Sequence, residues 1–489
     1  MVYVICIFYN DVDDVSDGDY LSKKYQIEDL VNYFHNVKNQ KGDLVPIIGE
    51  DKLAVTAALA YLLEDTNFMI NAYSGTGKTV IMNAVFELLE DTGIPYAVIE
   101  QLSDTALWYD TETLNRSRFI AIPEAQKCPE SIIEILKTWA DDRPAERKRT
   151  DVTIQDIRQQ TLYPKFVFMC KAVENTRGNL FLDAELERRY MITHTNPTVK
   201  QTEDVLKQKL RSVAKPDGDL QTMSDEDIKG LKDHIVECII RRDDSAAVKI
   251  RNPCAPFLFD IIPTLFPIAR SKVHYFLKII NAVARFFPDE IMTVERDGVE
   301  YGLVTPKHNW LATQIYIDTF VTECLQMPSH GIDVLQLIPD TEMDSYGMVS
   351  SDVAKLSMKE LQQAARAAGL PFAQKSLNPL LQSLVMLGFL EMDEDDGKRR
   401  FFKSPLIREP STKIDWSELM LSTQELMKET WPEIADDYIA EHCTNVEVTN
   451  PFTKEKVELG TRSQKSPSVV KSESEYKPDP LDYGDWLSE

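Results

Sequence analysis

The chain reads as an α/β protein: a parallel sheet carrying a phosphate-binding loop, a helical lid beside it, and a C-terminal unit of two helices and a hairpin. Three observations predict this. The octapeptide Ala72-Tyr73-Ser74-Gly75-Thr76-Gly77-Lys78-Thr79 lies between an apolar strand and an amphipathic helix. Short apolar runs alternate with helical or irregular segments across residues 46–199. Residues 351–405 run helix, turn, helix, hairpin.

The octapeptide is the strongest of these signals because both flanks are right. Phe68-Met69-Ile70 enters it as a buried strand, and Ile81, Ala84, Val85, Leu88 and Leu89 leave it at helical spacing until Gly93 and Pro95 stop the helix. In that setting successive backbone N–H groups and a helix N-terminus face a polyphosphate. Lys78 supplies a point charge for the outer phosphates, and the Thr79 hydroxyl can ligate Mg²⁺. Ala72 stands where the pattern has glycine, and is small enough to allow the turn.

Around the loop the expected strands are Phe68 to Asn71, Tyr96 to Ile99, Phe119 to Ile122, Phe166 to Cys170 and Tyr190 to Ile192. Residues 1–45 read as an N-terminal extension and 46–199 as the nucleotide-binding core. Residues 200–290 form a helical lid, with Val273, Phe276, Leu277, Ile280, Ala284 and Phe287 along one stripe. Residues 291–350 connect through a hairpin at Asp297-Gly298 and a helix from Trp310 to Leu325. In 351–405, helices from Met358 to Ala368 and from Gln374 to Leu387 precede a hairpin turning at Asp396-Gly397, the pattern of a winged helix-turn-helix. A helical segment covers 406–459, and 460–489 is an acidic, Ser/Lys/Glu/Pro-rich tail expected to be disordered, with docking of a protein partner as its alternative use.

Composition narrows the class. The chain has 489 residues with 43% hydrophobic and 27% charged, enough to bury several cores. No stretch approaches the ~18 apolar residues of a membrane span, and the apolar start lacks a basic flank, so neither membrane insertion nor secretion is expected. Seven scattered cysteines without a Cys-x-x-Cys pair argue against a zinc ribbon or a disulfide framework and for a cytoplasmic setting. A formal charge of −25 excludes coating of nucleic acid by bulk charge, so any DNA contact must be local.

Phosphoanhydride hydrolysis needs a carboxylate at the end of a neighbouring strand, and Phe119-Ile120-Ala121-Ile122-Pro123-Glu124 supplies one in Glu124. Its segment Ile122-Pro123-Glu124-Ala125-Gln126-Lys127 resembles the Walker B element of AAA+ ATPases, with Pro123 where the family has a metal-holding aspartate. The resemblance implies ATP and Mg²⁺ as cofactors and a homo-oligomer, with a hexameric ring for a motor; Pro123 implies weak hydrolysis. Lys165-Phe166-Val167-Phe168-Met169-Cys170 through Asn175 resembles the sensor 1 strand, with Asn175 as the favoured γ-phosphate contact and Lys171 as the alternative. Leu182 to Tyr190 resembles the arginine-finger segment, which favours Arg189 over Arg188, and Arg270 at the start of the lid helix resembles sensor 2.

The lid and winged unit together look most like the minichromosome maintenance branch, the replicative helicases, with archaeal origin-recognition initiators second. The family's large N-terminal DNA-binding domain has no counterpart, which suits a compact plasmid or viral version. The resemblance suggests that Arg147, Lys148 and Arg149 grip phosphates on a pore hairpin before sensor 1. In the winged unit, Lys375 on the second helix and Lys398, Arg399 and Arg400 on the wing are further DNA candidates, although Glu391, Asp393, Glu394, Asp395 and Asp396 share that hairpin. Three readings stand open: a DNA-dependent motor, an ATP-switched initiator or loader, and a remodeller that does not act on DNA.

Overall fold

The computed structural model describes residues 4–6, 24–38, 42–73, 75–100, 103, 106–151, 156–173, 184–195, 199–214, 223–244, 248–264, 266–325, 331–339, 355–368, 374–395, 398–404, 414–444 and 446–460. In chain order the first elements are β1 (Val4–Cys6), α1 (Ile27–His35), α2 (Asp51–Ala58) running into a π-helical turn at Leu59–Leu63, β2 (Phe68–Tyr73), α3 (Lys78–Glu87) and β3 (Tyr96–Ile99). Then come α4 (Ala106–Tyr109), α5 (Thr111–Arg116), β4 (Phe119–Ile122), α6 (Glu130–Ala140), β5 (Ala145–Asp151), β6 (Asp156–Leu162), β7 (Phe166–Val173), α7 (Ala184–Arg189) and β8 (Met191–Thr193).

The central sheet has the order β1-β3-β4-β7-β2-β8. All its pairings are parallel except β1 against β3, where Val4 faces Ile99. The five expected strands are therefore present, and the added edge strand comes from the segment read as an extension. That segment also supplies α1, whose Ile27, Leu30, Val31 and Phe34 are buried at helical spacing, so part of residues 1–45 belongs to the core.

Both faces of the sheet are covered, which is why its strands read as unbroken apolar runs. Ile70, Ala121, Phe168 and Cys170 pack with α2, α3 and the lid; Met69, Ile120, Ile122, Val167 and Met169 pack with the α4–α7 side. Tyr61 anchors the first face. Its ring meets Phe86, Phe119 and Phe168, and its hydroxyl donates to the carbonyls of Ile120 and Phe166, both at 3.1 Å.

The lid comprises α8 (Val199–Ala214), α9 (Asp225–Asp243), a short strand β9 (Lys249–Arg251) and α10 (Ala269–Phe286). Phe276, Ile280, Ala284 and Phe287 of the predicted stripe are buried. At the sheet end away from the loop, a charge network fastens the lid to the core. Arg118 pairs with Asp65 at 2.8 Å and with Asp243, Arg242 reaches Asp65 at 3.0 Å, and Arg285 reaches Glu64 at 2.6 Å.

The hairpin β10 (Met292–Arg296) and β11 (Val299–Leu303) turns at Asp297 and Gly298, both at positive φ (54° and 73°), and β9 adds to it in parallel. Helix α11 (Pro306–Cys324) begins four residues earlier than the expected Trp310, because Thr305 caps it in a reciprocal box with His308 and Pro306 takes the first turn. After α12 (Gly331–Gln336), the unit β12 (Leu356–Ser357), α13 (Met358–Ala367), α14 (Gln374–Met386), β13 (Leu390–Asp395) and β14 (Lys398–Lys403) forms a three-stranded sheet of order β12-β14-β13. Residues 406–459, expected to be helical, contain α15 (Trp416–Thr430) and α16 (Ala435–His442) but finish in an antiparallel pair, β15 (Val446–Thr449) and β16 (Lys456–Leu459). The tail from residue 461 lies outside the described residues.

Candidate nucleotide-binding site

The loop leaves the C-terminal end of β2 and enters α3 at Lys78. Gly75 and Gly77 have φ of 82° and 84°, a left-handed region that side chains resist, and Gly77 is the residue capping the helix. A Cβ built on either would meet nothing within 4 Å, so open space lies against this backbone. That is the cradle a phosphate needs. Lys78 is buried at 8% exposure, its carbonyl accepting from the Cys170 thiol on β7 at 3.4 Å, while Thr79 one residue on is exposed. The side chain of Tyr73 and all of Ser74 lie outside the described residues.

The sheet order decides what faces the loop. Strand β7 lies between β2 and β4, so Glu124 beyond the end of β4 is two strand spacings from the loop strand, roughly 9–10 Å at ~4.8 Å per step. That separation leaves room for a terminal phosphate and a water between backbone cradle and carboxylate. Asn71 pairs in register with Lys171, and Ile122 with Met169, so continuing the count brings Glu124 level with Lys171. A row of polar residues thus crosses the sheet edge where the apolar runs end. Glu124 is half-buried and ion-paired with Lys127 three residues on, and neighbouring Gln126 accepts from the Ala172 N–H at 3.1 Å, tying this turn to β7.

Sequence reasoning missed the other members of this edge. Asn71 is 1% exposed, and its carbonyl is bonded to the His194 ring at 2.8 Å beyond the last β2–β8 pair. Thr195 is buried with its hydroxyl unbonded among the described residues. The signal available was the break of Phe68-Met69-Ile70 at Asn71, a polar residue inside a strand otherwise wholly apolar.

The remaining candidates are dispersed. Asn175 falls outside the described residues. Arg189, at the end of α7, makes a two-pronged contact with Asp141 at the end of α6 (Nε–Oδ1 2.6 Å, Nη2–Oδ2 3.1 Å), and Arg143 joins the same carboxylate at 2.6 Å. The hydrogen bonds from Arg189 and Arg143 hold the Asp141 carboxyl below its usual range. Arg188 is exposed, and its carbonyl accepts from Tyr275 of the lid at 3.0 Å. Arg270 is exposed in the first turn of α10.

The basic stretch before β7 is the antiparallel hairpin β5–β6, with Arg147 opposite Gln160, Lys148 opposite Gln159 and Arg149 opposite Arg158. Lys148 is exposed; the Arg147 guanidinium lies 6.0 Å from the Trp108 ring. On β13–β14, Asp393 faces Arg400, Glu394 faces Arg399 and Asp395 faces Lys398, and Lys355 pairs with Asp393 at 2.6 Å. The side chains of Arg149, Lys375 and Lys398 lie outside the described residues.

No known family profile matches the chain, and no curated protein matches it. Among solved structures it is similar to a proposed ATPase from Cytophaga hutchinsonii, with 14% identity and a TM-score of 0.34 over 60% of this chain and 84% of the other. It is also similar to a full-length MCM homologue from Methanopyrus kandleri, with 12% identity and a TM-score of 0.35 over 60% of this chain and 59% of the other. The chain thus spans less than two thirds of the MCM homologue. No described helix is long and apolar enough to cross a membrane, and no described group of three or more His, Cys, Asp or Glu could hold a metal.

Proposed function

We propose that the chain is an ATP-binding ATPase of the AAA+ class that acts on DNA, in the manner of minichromosome maintenance helicases. The observation that carries this is the sheet edge: a loop after β2 with left-handed Gly75 and Gly77, and the Glu124 carboxylate just beyond β4, with β7 between them. The loop amides and Lys78 bind the polyphosphate, and Mg²⁺ bound through Thr79 would neutralise phosphate charge. Glu124 orients a water and takes its proton, which requires the Glu124–Lys127 pair to open.

Three cationic elements complete the reading. Arg189, favoured over Arg188, acts on the nucleotide of a neighbouring subunit, which requires its contact with Asp141 to open, and Arg270 reaches the phosphates from the lid. A cation in the first turn of a helix opposes the helix dipole, and a bound anion offsets that cost. The β5–β6 hairpin, with Arg147, Lys148 and Arg149, tracks a nucleic-acid strand as lid and core close.

An ATP-switched initiator or loader is the second reading, favoured by two features that slow turnover: Pro123 in place of a metal-holding acid, and Lys127 occupying Glu124. Glu124→Gln tests the shared chemistry. It is expected to keep ATP and lose turnover by at least about a hundredfold; near-normal hydrolysis would remove Glu124 from its role. Unwinding of a forked duplex by hexamers supports the motor, and ATP-dependent duplex binding by monomers or dimers without unwinding supports the switch.

A further inference from the structure

We propose that the outer face of α8 is a docking surface for the acidic, aromatic segment Leu481-Asp482-Tyr483-Gly484-Asp485-Trp486-Leu487 of the same chain. The inference does not depend on the nucleotide reading.

The helix turns its faces the opposite way from one that serves only its own core. At about 100° per residue, Gln201, Asp204, Val205 and Gln208 share one side, and all four are half-buried. The Gln201 amide on this side donates to the Ile48 carbonyl. Leu206 and Leu210 lie on the opposite side, one turn apart, and are 54% and 73% exposed. An amphipathic helix ordinarily buries its leucines and exposes its amides. Single exposed leucines need no explanation, but two stacked on a helix whose inward side is mostly polar form an apolar ridge that its own core leaves uncovered.

Charge selects the occupant. Residues 205–214 carry Lys207, Lys209 and Arg211 and no acid, in a chain of formal charge −25. Lys207 and Lys209 project to either side of the ridge, each about 80° from its centre. Lys207 reaches Glu203 and Asp204 only at 3.6 and 3.7 Å, surface pairs of little energy. Residues 478–489 are the complement: Asp479, Asp482, Asp485 and Glu489 without a base, interleaved with Leu481, Tyr483, Trp486 and Leu487. The same ridge of a second copy would set cations against cations. Nucleic acid would match the cations but leave the leucines in water.

Reach is the third ground. The start of α8 and the turn of β15–β16 meet at one corner, the entry to α2. There Gln201 holds Ile48, Lys52 lies 6.0 Å from the Phe452 ring, and Lys454 pairs with Glu28 of α1 at 2.6 Å. Leu210 is ~13 Å along the helix from Gln201, and Gly460 is at most ~20 Å along the chain from Lys454. Residues 461–480 span up to ~66 Å, which covers both steps and the corner between them, so the segment reaches α8 of its own chain. Such tethering sets a local concentration of about a millimolar.

The test follows a fluorescein-labelled peptide of residues 478–489 by anisotropy. It is titrated with the full chain, with Leu481→Ala/Trp486→Ala/Leu487→Ala, and with that variant carrying Leu206→Gln and Leu210→Gln as well. The triple variant should bind the peptide at least about tenfold more tightly than the parent, because its own segment no longer competes. Adding the two glutamines should remove at least about tenfold of that affinity at an unchanged melting temperature, since both leucines are exposed. Lys207→Gln with Arg211→Gln, confined to exposed side chains, is the second probe of the ridge and should weaken the peptide at least about threefold. Equal affinity in the parent and the triple variant, or affinity indifferent to the glutamines, would overturn the proposal. Loss of single-stranded DNA binding or of oligomers in Leu206→Gln/Leu210→Gln, with the peptide unaffected, would overturn it in favour of nucleic acid or a second copy.

Discussion

Two hairpins of similar length carry most of the basic residues singled out as nucleic-acid contacts, yet their partners across the ladder are opposite in kind. On three central rungs of β5–β6, Arg147 and Lys148 face glutamines and Arg149 faces Arg158, a formal charge of +1, +1 and +2. On three rungs of β13–β14, Arg400, Arg399 and Lys398 face Asp393, Glu394 and Asp395, which sums to zero. A polyanion is attracted by uncompensated charge, and opposite charges on facing strands satisfy one another first. The lesson is that a basic strand is informative only together with the strand it pairs with. In a chain of formal charge −25, the β5–β6 hairpin is the stronger candidate for a phosphate backbone, and the C-terminal unit is the better candidate for a protein contact.

The largest effect is expected at the β5–β6 hairpin, where Arg147, Lys148, Arg149 and Arg158 outnumber Glu146, Asp151 and Asp156 by one. Arg147→Ala with Lys148→Ala should weaken single-stranded DNA binding at least about tenfold and lower the slope of log affinity against log salt by roughly 1.4, at ~0.7 per lost phosphate contact. A slope identical to that of the parent chain would erase the distinction between the hairpins.

A smaller gain is expected from unmasking the other. Asp393→Asn with Glu394→Gln leaves Arg400 and Arg399 without their facing acids and should raise DNA affinity a few-fold, while costing up to about 1 kcal/mol of the unit's stability. Denaturant unfolding and a DNA titration read both, and a fall in affinity would contradict the masking. The smallest effect belongs to Arg399→Ala with Arg400→Ala, for which DNA affinity should stay within about twofold. A tenfold loss there would restore the wing as a DNA reader.

Much of this was legible from local pattern, because local pattern sets local structure. The loop, its strand and its helix were readable since glycine at positive φ, an apolar run and 3.6-residue spacing each act over a few residues. The turn at Asp297-Gly298 was readable for the same reason. What sequence could not supply was non-local. Nothing in the order of segments says that β7 inserts between β2 and β4, and it is this insertion that separates Glu124 from the loop and puts Lys171 between them. Likewise the Arg189–Asp141 contact spans 48 residues, and without it Arg189 reads as a free cation at a helix end.

Other misses have simpler causes. Helix α1 carries a regular apolar spacing, yet its buried face also uses Tyr33, and the surrounding segment is polar. The pair β15–β16 alternates valines with acids, as in Val446-Glu447-Val448 and Val457-Glu458, over strands of four residues too short to dominate a helical neighbourhood.

Titration of a fluorescent, non-hydrolysable ATP analogue into the full chain and into Lys78→Ala tests the phosphate loop most directly. The parent chain should bind saturably, and the variant should bind at least about a hundredfold more weakly while unfolding at the same temperature. Equal affinity in the two proteins would mean that no triphosphate rests on the amides after β2.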